Sequence, residues 1–162
     1  MRKLRIPLIV LLGILSFSAC EKDDICIDAD TPRLVIRFMD ALDTTLSKDV
    51  QNLVVIGVGE TGLRDTIPNL TLDSIVLPLR PGKSSTTFTF SRQTSITDIN
   101  IDTLSFTYNP KEVFASRACG YVVRYDSLQA AVQQDDSLWL QRIAVDSSFI
   151  ENTASTHVRI FH

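Results

Sequence analysis

The sequence has few of the residues on which acid–base catalysis and metal binding depend. It contains two histidines, His157 and His162, both within the last six of its 162 residues, and we expect His162 to be frayed. Histidine is the usual general acid or base, and a zinc site needs several His or Cys ligands that converge. No Gly-x-Ser-x-Gly elbow, phosphate loop or calcium loop occurs. We therefore predict a protein that is not an enzyme, without catalytic residues, metal or cofactor.

Charge and hydrophobicity exclude two further classes. The formal net charge is −3, so nothing favours nucleic acid binding. The apolar segment from Ile6 to Ala19 has fourteen residues, whereas a membrane-spanning helix needs about 20. Three basic residues precede this segment and small residues end it. This pattern predicts a cleaved signal peptide at residues 1–19.

The residues around Cys20 predict a lipid anchor. Ser18 and Ala19 directly before Cys20 resemble a bacterial lipobox, although Phe17 replaces the usual Leu. The resemblance implies that Cys20 is acylated after cleavage. Because two or more acyl chains make membrane residence durable, the acylated protein stays at the membrane without an apolar surface of its own. The alternatives are a conventional secretory signal or an uncleaved anchor.

A charged segment follows the predicted acylation site. Lys22, Asp23 and Asp24 resemble the export signal of surface lipoproteins in Bacteroidota. The resemblance implies an outer-membrane, lipid-anchored protein that is exposed at the cell surface. The alternative is an ordinary charged tether on a lipoprotein of the periplasmic leaflet. In either case we assign residues 20–30 to a lipidated tether.

Two cysteines remain once Cys20 carries lipid, namely Cys26 and Cys119. An even pair in an oxidising compartment is most simply a disulfide. It would close a loop of about 90 residues and connect the tether to the strand that carries Cys119. The alternative is two buried free thiols.

From Thr31 onward the pattern is that of strands. In the first one Leu34, Ile36 and Phe38 lie on one face and Arg33, Val35 and Arg37 on the other, which is typical of a half-buried strand. About nine such segments, separated by turn residues, predict a single β-sandwich, Ig-like or related, over residues 31–162. A small β-barrel is the alternative. The strand predicted at 112–125 is interrupted at Cys119 and Gly120, where a glycine suggests a bulge or a close approach of another backbone. The other predicted strands are 32–39, 52–58, 63–67, 74–79, 85–92, 99–108, 138–145 and 157–161, and residues 128–134 could form a helical turn or a loop.

Four arginines are candidates for an interface. Arg33 and Arg37 share the outward face of the first strand, and Arg117 and Arg124 lie on the long strand at 112–125. Arginine is enriched at interfaces because its planar fork binds carboxylates and stacks on aromatic rings. The alternative is a solvated strand face with acidic partners. Trp139, the sole tryptophan, is expected in the core rather than on a sugar-stacking platform.

Six three-residue segments resemble the general O-glycosylation acceptor motif of exported Bacteroidota proteins. Each reads Asp, then Ser or Thr, then an apolar residue or Thr. Asp also begins turns, so such segments arise readily in a chain rich in Asp, Ser and Thr. Ser127 and Ser137, beside a predicted loop, are expected to be accessible. The hydroxyls concerned belong to Thr44, Thr66, Ser74, Thr103, Ser127 and Ser137.

Three segments together resemble a family of small Bacteroidota lipoproteins without an assigned activity. They are Cys20–Cys26, Thr31–Phe38 and Ser116–Tyr121, and Met39 departs from an expected aromatic. The resemblance implies a surface location and a β domain with paired cysteines. We expect a non-enzymatic accessory subunit that docks on an outer-membrane β-barrel or another envelope protein. The alternative is a glycan- or nutrient-binding module, which would need a concave face with two or more exposed aromatics.

Overall fold

The computed structural model describes Cys26 and residues 30–59 and 66–162, and these residues form strands and no helix. None of them belongs to a helix long and apolar enough to cross a membrane. The predicted all-β fold is thereby confirmed. The strands are β1 (Leu34–Met39), β2 (Val50–Val58), β3 (Thr66–Leu72), β4 (Ser74–Leu77), β5 (Ser85–Gln93), β6 (Ile99–Ser116), β7 (Gly120–Val132), β8 (Arg142–Val145) and β9 (Val158–Phe161).

The strands form two sheets, and the chain passes repeatedly between them. The four-stranded sheet has the order β4-β1-β9-β8, and the five-stranded sheet has the order β3-β2-β5-β6-β7. Most neighbours are antiparallel, but β1 and β9 are parallel, with Ile36 opposite Val158. Parallel strands need a long connection, and here almost the whole domain lies between the two. The chain's first and last strands thus lie side by side.

The two sheets share one hydrophobic core, as expected for a sandwich. Leu34, Ile36 and Phe38 point inward from β1 and are fully buried, while the alternate residues point outward. Phe38 meets Phe90 of β5 edge to face, with ring centroids 6.5 Å apart. Because these rings belong to different sheets, their contact joins the two layers.

The sheets are also joined by backbone hydrogen bonds along one side. The N–H of Tyr125 on β7 donates to the carbonyl of Ile150 at 3.1 Å, and the N–H of Ile150 donates back at 2.8 Å. The N–H of Leu128 donates to the carbonyl of Ser148 at 2.9 Å. The segment before β9 therefore covers part of the β7 edge, which would otherwise present unpaired backbone groups.

The main error in the predicted strands lies between residues 109 and 132. The strand predicted at 112–125, with an interruption at Cys119 and Gly120, is wrong as one element, since β6 runs on to Ser116 and β7 begins at Gly120. Residues 117–119 form the turn, and Gly120 has a φ of 71°, a conformation that glycine adopts without a side-chain clash. Pro110 does not end β6, because it lies beyond Thr107, the last residue paired with β5, and a proline is tolerated at such an edge position. Most of the segment 128–134 is neither helix nor loop but the end of β7.

Both histidines are buried structural residues, so the expectation of a frayed His162 is wrong. Its ring packs edge to face on Phe38, with centroids 6.1 Å apart, and its Nε2 lies 3.2 Å from the Lys48 carbonyl. The Nδ1 atom of His157 accepts a hydrogen bond from the Val35 N–H at 3.1 Å. Burial lowers the pKa of both imidazoles, which favours their neutral forms.

A fully buried carboxylate organises the segment before β8. Asp102 lies on β6, and its Oδ2 accepts hydrogen bonds from the N–H groups of Trp139 at 2.9 Å and Leu140 at 2.8 Å. Trp139 also donates from Nε1 to the Phe90 carbonyl at 3.3 Å. Trp139 is buried, as expected, although it precedes β8 rather than opening the strand predicted at 138–145. Burial raises the pKa of Asp102 despite these hydrogen bonds.

Candidate functional site

The most distinctive feature of the fold is the outer part of the β6–β7 hairpin, residues 111–124, which we call the hairpin arm. The two strands stay paired throughout, with Lys111 opposite Arg124 and Phe114 opposite Tyr121. Arm residues are exposed or half-buried, apart from the buried Val122, whereas Tyr125 at the base is fully buried. The arm therefore extends a two-stranded ribbon away from the core.

The base of the arm is fixed by two tyrosines in contact. The rings of Tyr108 and Tyr125 meet edge to face, 5.0 Å apart, and the Tyr125 hydroxyl donates to the Leu79 carbonyl at 3.2 Å. Burial, with a smaller contribution from Tyr108, raises the pKa of Tyr125 to about 12. Tyr125 therefore remains a neutral hydrogen-bond donor at physiological pH. These contacts anchor the arm to the loop before β5.

The turn at the end of the arm carries the disulfide. Cys119 is bonded to Cys26, with an S–S distance of 2.07 Å and a Cα–Cα distance of 5.0 Å. The Cys119 N–H donates to the Ser116 Oγ at 3.1 Å, which closes the turn. The predicted bridge is thus confirmed, but Cys119 lies in a turn and not within a strand. Cys26 is consequently held at the end of the arm.

Two large aromatic side chains lie beside this disulfide. Phe114 and Tyr121 are 55% and 71% exposed, and their rings meet edge to face with centroids 5.5 Å apart. The pair shares its face of the ribbon with Val123 and Tyr125, because alternate residues of a strand point the same way. Exposed aromatics in contact are less usual than scattered ones. Together they form an apolar end to the arm.

The outer face of the four-stranded sheet is basic. Arg37 lies on β1 and Arg33 directly precedes that strand. Arg159 is the register partner of Arg37 on β9, and Arg142 lies on β8. The guanidinium of Arg142 stacks 3.8 Å from the centroid of the Phe161 ring. We call this set of four arginines the arginine face.

One acidic side chain compensates part of the charge of the arginine face. Arg159 forms a two-pronged ion pair with Asp146, at 2.7 and 2.8 Å. Within the described part of the chain, Arg33 and Arg37 form no ion pair. Free guanidinium groups on a net-acidic protein favour an acidic binding partner.

An open cavity of about 450 Å³ lies between the five-stranded sheet and the loop before β5. Its walls include Val55, Leu79 and Phe88. One guanidinium nitrogen of Arg80, which also lines it, donates to the Val58 carbonyl. The rest of the lining is mainly apolar, so the cavity indicates no specific ligand chemistry. Its rim includes Gly59, the last described residue before the gap at 60–65.

A family model matches residues 52–162, which is more than half of the chain and includes the whole hairpin arm. The chain belongs to the DUF6452 family, a family of unknown function. No curated protein and no solved structure matches the chain. The DUF6452 match includes Cys119 but begins after Cys26 and β1. The arm and most of the core are therefore family features, and the family description assigns them no role.

The structure does not bring all the predicted site residues of this DUF6452 protein together. Cys20, Lys22, Asp23 and Asp24 lie outside the described residues. Arg33 and Arg37 share the arginine face as expected, whereas Arg117 and Arg124 lie on the hairpin arm. Arg124 is near Glu151, with a nitrogen–oxygen distance of 3.8 Å. The four predicted interface arginines therefore belong to two separate surfaces.

The six predicted glycosylation residues differ in accessibility. Ser127 and Ser137 are exposed, as expected. Thr103 is half-buried in the middle of β6, and its motif Asp is the buried Asp102, which has a structural role. The set is distributed as follows: Thr44 and Ser74 are also exposed, and Thr66 begins β3.

The sequence patterns missed two features of these surfaces. A strand at 112–125 with an interruption at Cys119 and Gly120 does not place Phe114 and Tyr121 opposite each other. A turn at residues 117–119, suggested by Gly120 directly after them, would have paired the two aromatics. Arg159 and Arg142 belong to the arginine face because β9 pairs with β1 and β8 pairs with β9. No sequence signal indicated this parallel pairing.

Proposed function

We propose that this protein is a lipid-anchored envelope lipoprotein that acts as a non-enzymatic docking subunit at the outer membrane or cell surface. The observation that carries the proposal is the disulfide between Cys26 and Cys119. It connects the folded domain to a position six residues after Cys20, the predicted acylation site. A disulfide also fits an oxidising compartment outside the cytoplasm.

The arginine face is the proposed docking surface. Three of its four arginines have no ion-pair partner among the described residues, since Asp146 pairs with Arg159. A lipid anchor already gives a high effective concentration at the membrane, so a modest interface suffices for binding. We propose an acidic patch on a neighbouring envelope protein as the partner, because charge complementarity sets both encounter rate and orientation.

The arrangement of the aromatics does not favour the alternative of a glycan-binding module. Phe114 and Tyr121 are exposed, but their ring planes stand at 68° to each other at the end of a projecting arm. A sugar-binding platform requires aromatic faces that a sugar ring can cover. Recovery of carbohydrate in the following experiment would support this alternative over docking.

Photo-crosslinking in intact cells tests the docking proposal. A photoreactive amino acid at Val76, which is 40% exposed on the same sheet face as Arg37, is expected to capture a specific envelope protein. Charge reversal by Arg33→Glu and Arg37→Glu should remove most of this product. Since both positions are exposed, each change should alter the free energy of unfolding by no more than about 0.5 kcal/mol.

The matched control places the same photoreactive residue at Gln129. This position is exposed on the outer face of the other sheet, opposite Thr107, and should give no specific product. Equal products from both positions, or none from Val76 under conditions that preserve envelope complexes, would contradict docking through the arginine face.

A further inference from the structure

The core-facing side of β7 continues as an apolar strip along the hairpin arm. Tyr125 is fully buried, Val123 is half-buried, and Tyr121 is 71% exposed beside Phe114. Phe114 and Tyr121 thus lie on the face of the ribbon that is buried in the core farther along β7. Contiguous exposed apolar residues are typical of a surface that binds a protein or a membrane.

The disulfide limits how far this patch can lie from the predicted lipid anchor. The Cα atoms of Cys119 and Cys26 are 5.0 Å apart, and six residues connect Cys26 to Cys20. Six extended residues span roughly 20 Å at most. The end of the arm can therefore lie no more than about 25 Å from Cys20, and shorter paths bring it to the lipid headgroups.

The opposite end of the sandwich is much farther from the anchor. The strand β1 begins near the base of the arm, since Arg33 and Tyr125 both line a second recess, separate from the cavity described above. It runs about 20 Å to Met39 and leads into the loop that carries Leu42, which is 97% exposed. Exposed apolar residues at the two ends therefore provide an internal comparison.

We propose that the end of the hairpin arm docks on the lipid bilayer surface, with the rings of Phe114 and Tyr121 in the membrane interface. This inference rests on the proposed acylation of Cys20. Aromatic rings with a polar edge are favoured at the headgroup level, where tyrosine can keep its hydroxyl hydrated. Arg117, exposed in the turn, is placed to pair with anionic headgroups. Burying each ring strengthens the association by about tenfold.

Fluorescence quenching in vesicles tests the contact. The acylated, oxidised protein carrying Tyr121→Trp is reconstituted in vesicles of phosphatidylethanolamine and phosphatidylglycerol that contain brominated phospholipid. The new indole should be quenched by the brominated lipid and protected from iodide in the water. The native Trp139 is buried and present in every variant, so it contributes a constant background. Leu42→Trp is the matched control and should show the reverse behaviour.

Co-flotation with the vesicles separates this inference from the proposed function. If the protein floats with the vesicles but Tyr121→Trp behaves like Leu42→Trp, the bilayer contact is wrong and the anchor stands. Failure of the acylated protein to float would overturn both. If the indole of Tyr121→Trp is protected from iodide in whole envelopes but not in pure lipid vesicles, the arm contacts a protein partner instead of the bilayer. If the arm contacts the bilayer, adding Phe114→Ser should reduce lipid quenching of Tyr121→Trp while the protein still floats with the vesicles.

Discussion

Loss of the disulfide through Cys26→Ser with Cys119→Ser is expected to lower the free energy of unfolding by about 3 kcal/mol. The bond closes a segment with a sequence separation of 93, which in the chain-entropy model stabilises the fold by about 4–5 kcal/mol. Because Cys26 precedes β1, the bond also restricts the tether in the folded state, which offsets part of this gain. Urea unfolding followed by Trp139 fluorescence measures the difference.

A change beside the bond serves as the control for this measurement. Ser116→Ala removes the hydroxyl that accepts the Cys119 N–H but leaves the disulfide intact. It should cost about 1 kcal/mol or less, the usual value of one exposed hydrogen bond. A double-serine variant with the unfolding midpoint of the wild type would show that the bond does not constrain the unfolded chain.

Replacement of the buried Asp102 is the second change with a large expected effect. Asp102→Ala leaves the N–H groups of Trp139 and Leu140 without their acceptor, and each buried, unpaired donor costs about 1–3 kcal/mol. We expect a loss of about 3 kcal/mol in the free energy of unfolding at pH 7, because removing a buried charge offsets part of the penalty. Asp102→Asn keeps an acceptor oxygen and should cost clearly less.

The stability of the wild type and that of Asp102→Asn should also depend differently on pH. Burial raises the pKa of Asp102, so just above its ordinary pKa the folded chain holds a proton that the unfolded chain has lost. This contribution to stability is present at low pH and disappears as the pH rises through the raised pKa. The stability of the wild type relative to Asp102→Asn should therefore fall over this range. A constant difference, or an alanine variant as stable as the asparagine variant, would contradict the assigned role.

The fold class could be predicted because alternation in single strands reports burial directly. The pattern in β1, with Leu34, Ile36 and Phe38 inward, remains correct in the structure. The hairpin arm could not be predicted from the same pattern. Both of its faces are largely exposed, so alternation carries no information there. Pro110 suggested a strand end, but it lies at an edge position where β6 continues. The strand pairings depend on residues far apart in sequence.

The same limit applies to the candidate sites. The disulfide followed from the number of cysteines and the inferred compartment, which needed no contact information. Asp102 was taken for part of a short motif, because its partners Trp139 and Leu140 lie 37 and 38 residues later. Arg37 and Arg159 meet only through the parallel pairing of β1 and β9. Sequence patterns therefore predicted the disulfide but not which surfaces the fold presents.

Mass spectrometry of the protein isolated from cells, digested without reduction, tests most directly whether an acylated N-terminus is bonded to the hairpin arm. The account predicts a peptide that begins at acylated Cys20, contains Cys26 and remains covalently linked to the peptide with Cys119. An unmodified Cys20 with residues 1–19 still attached would contradict it.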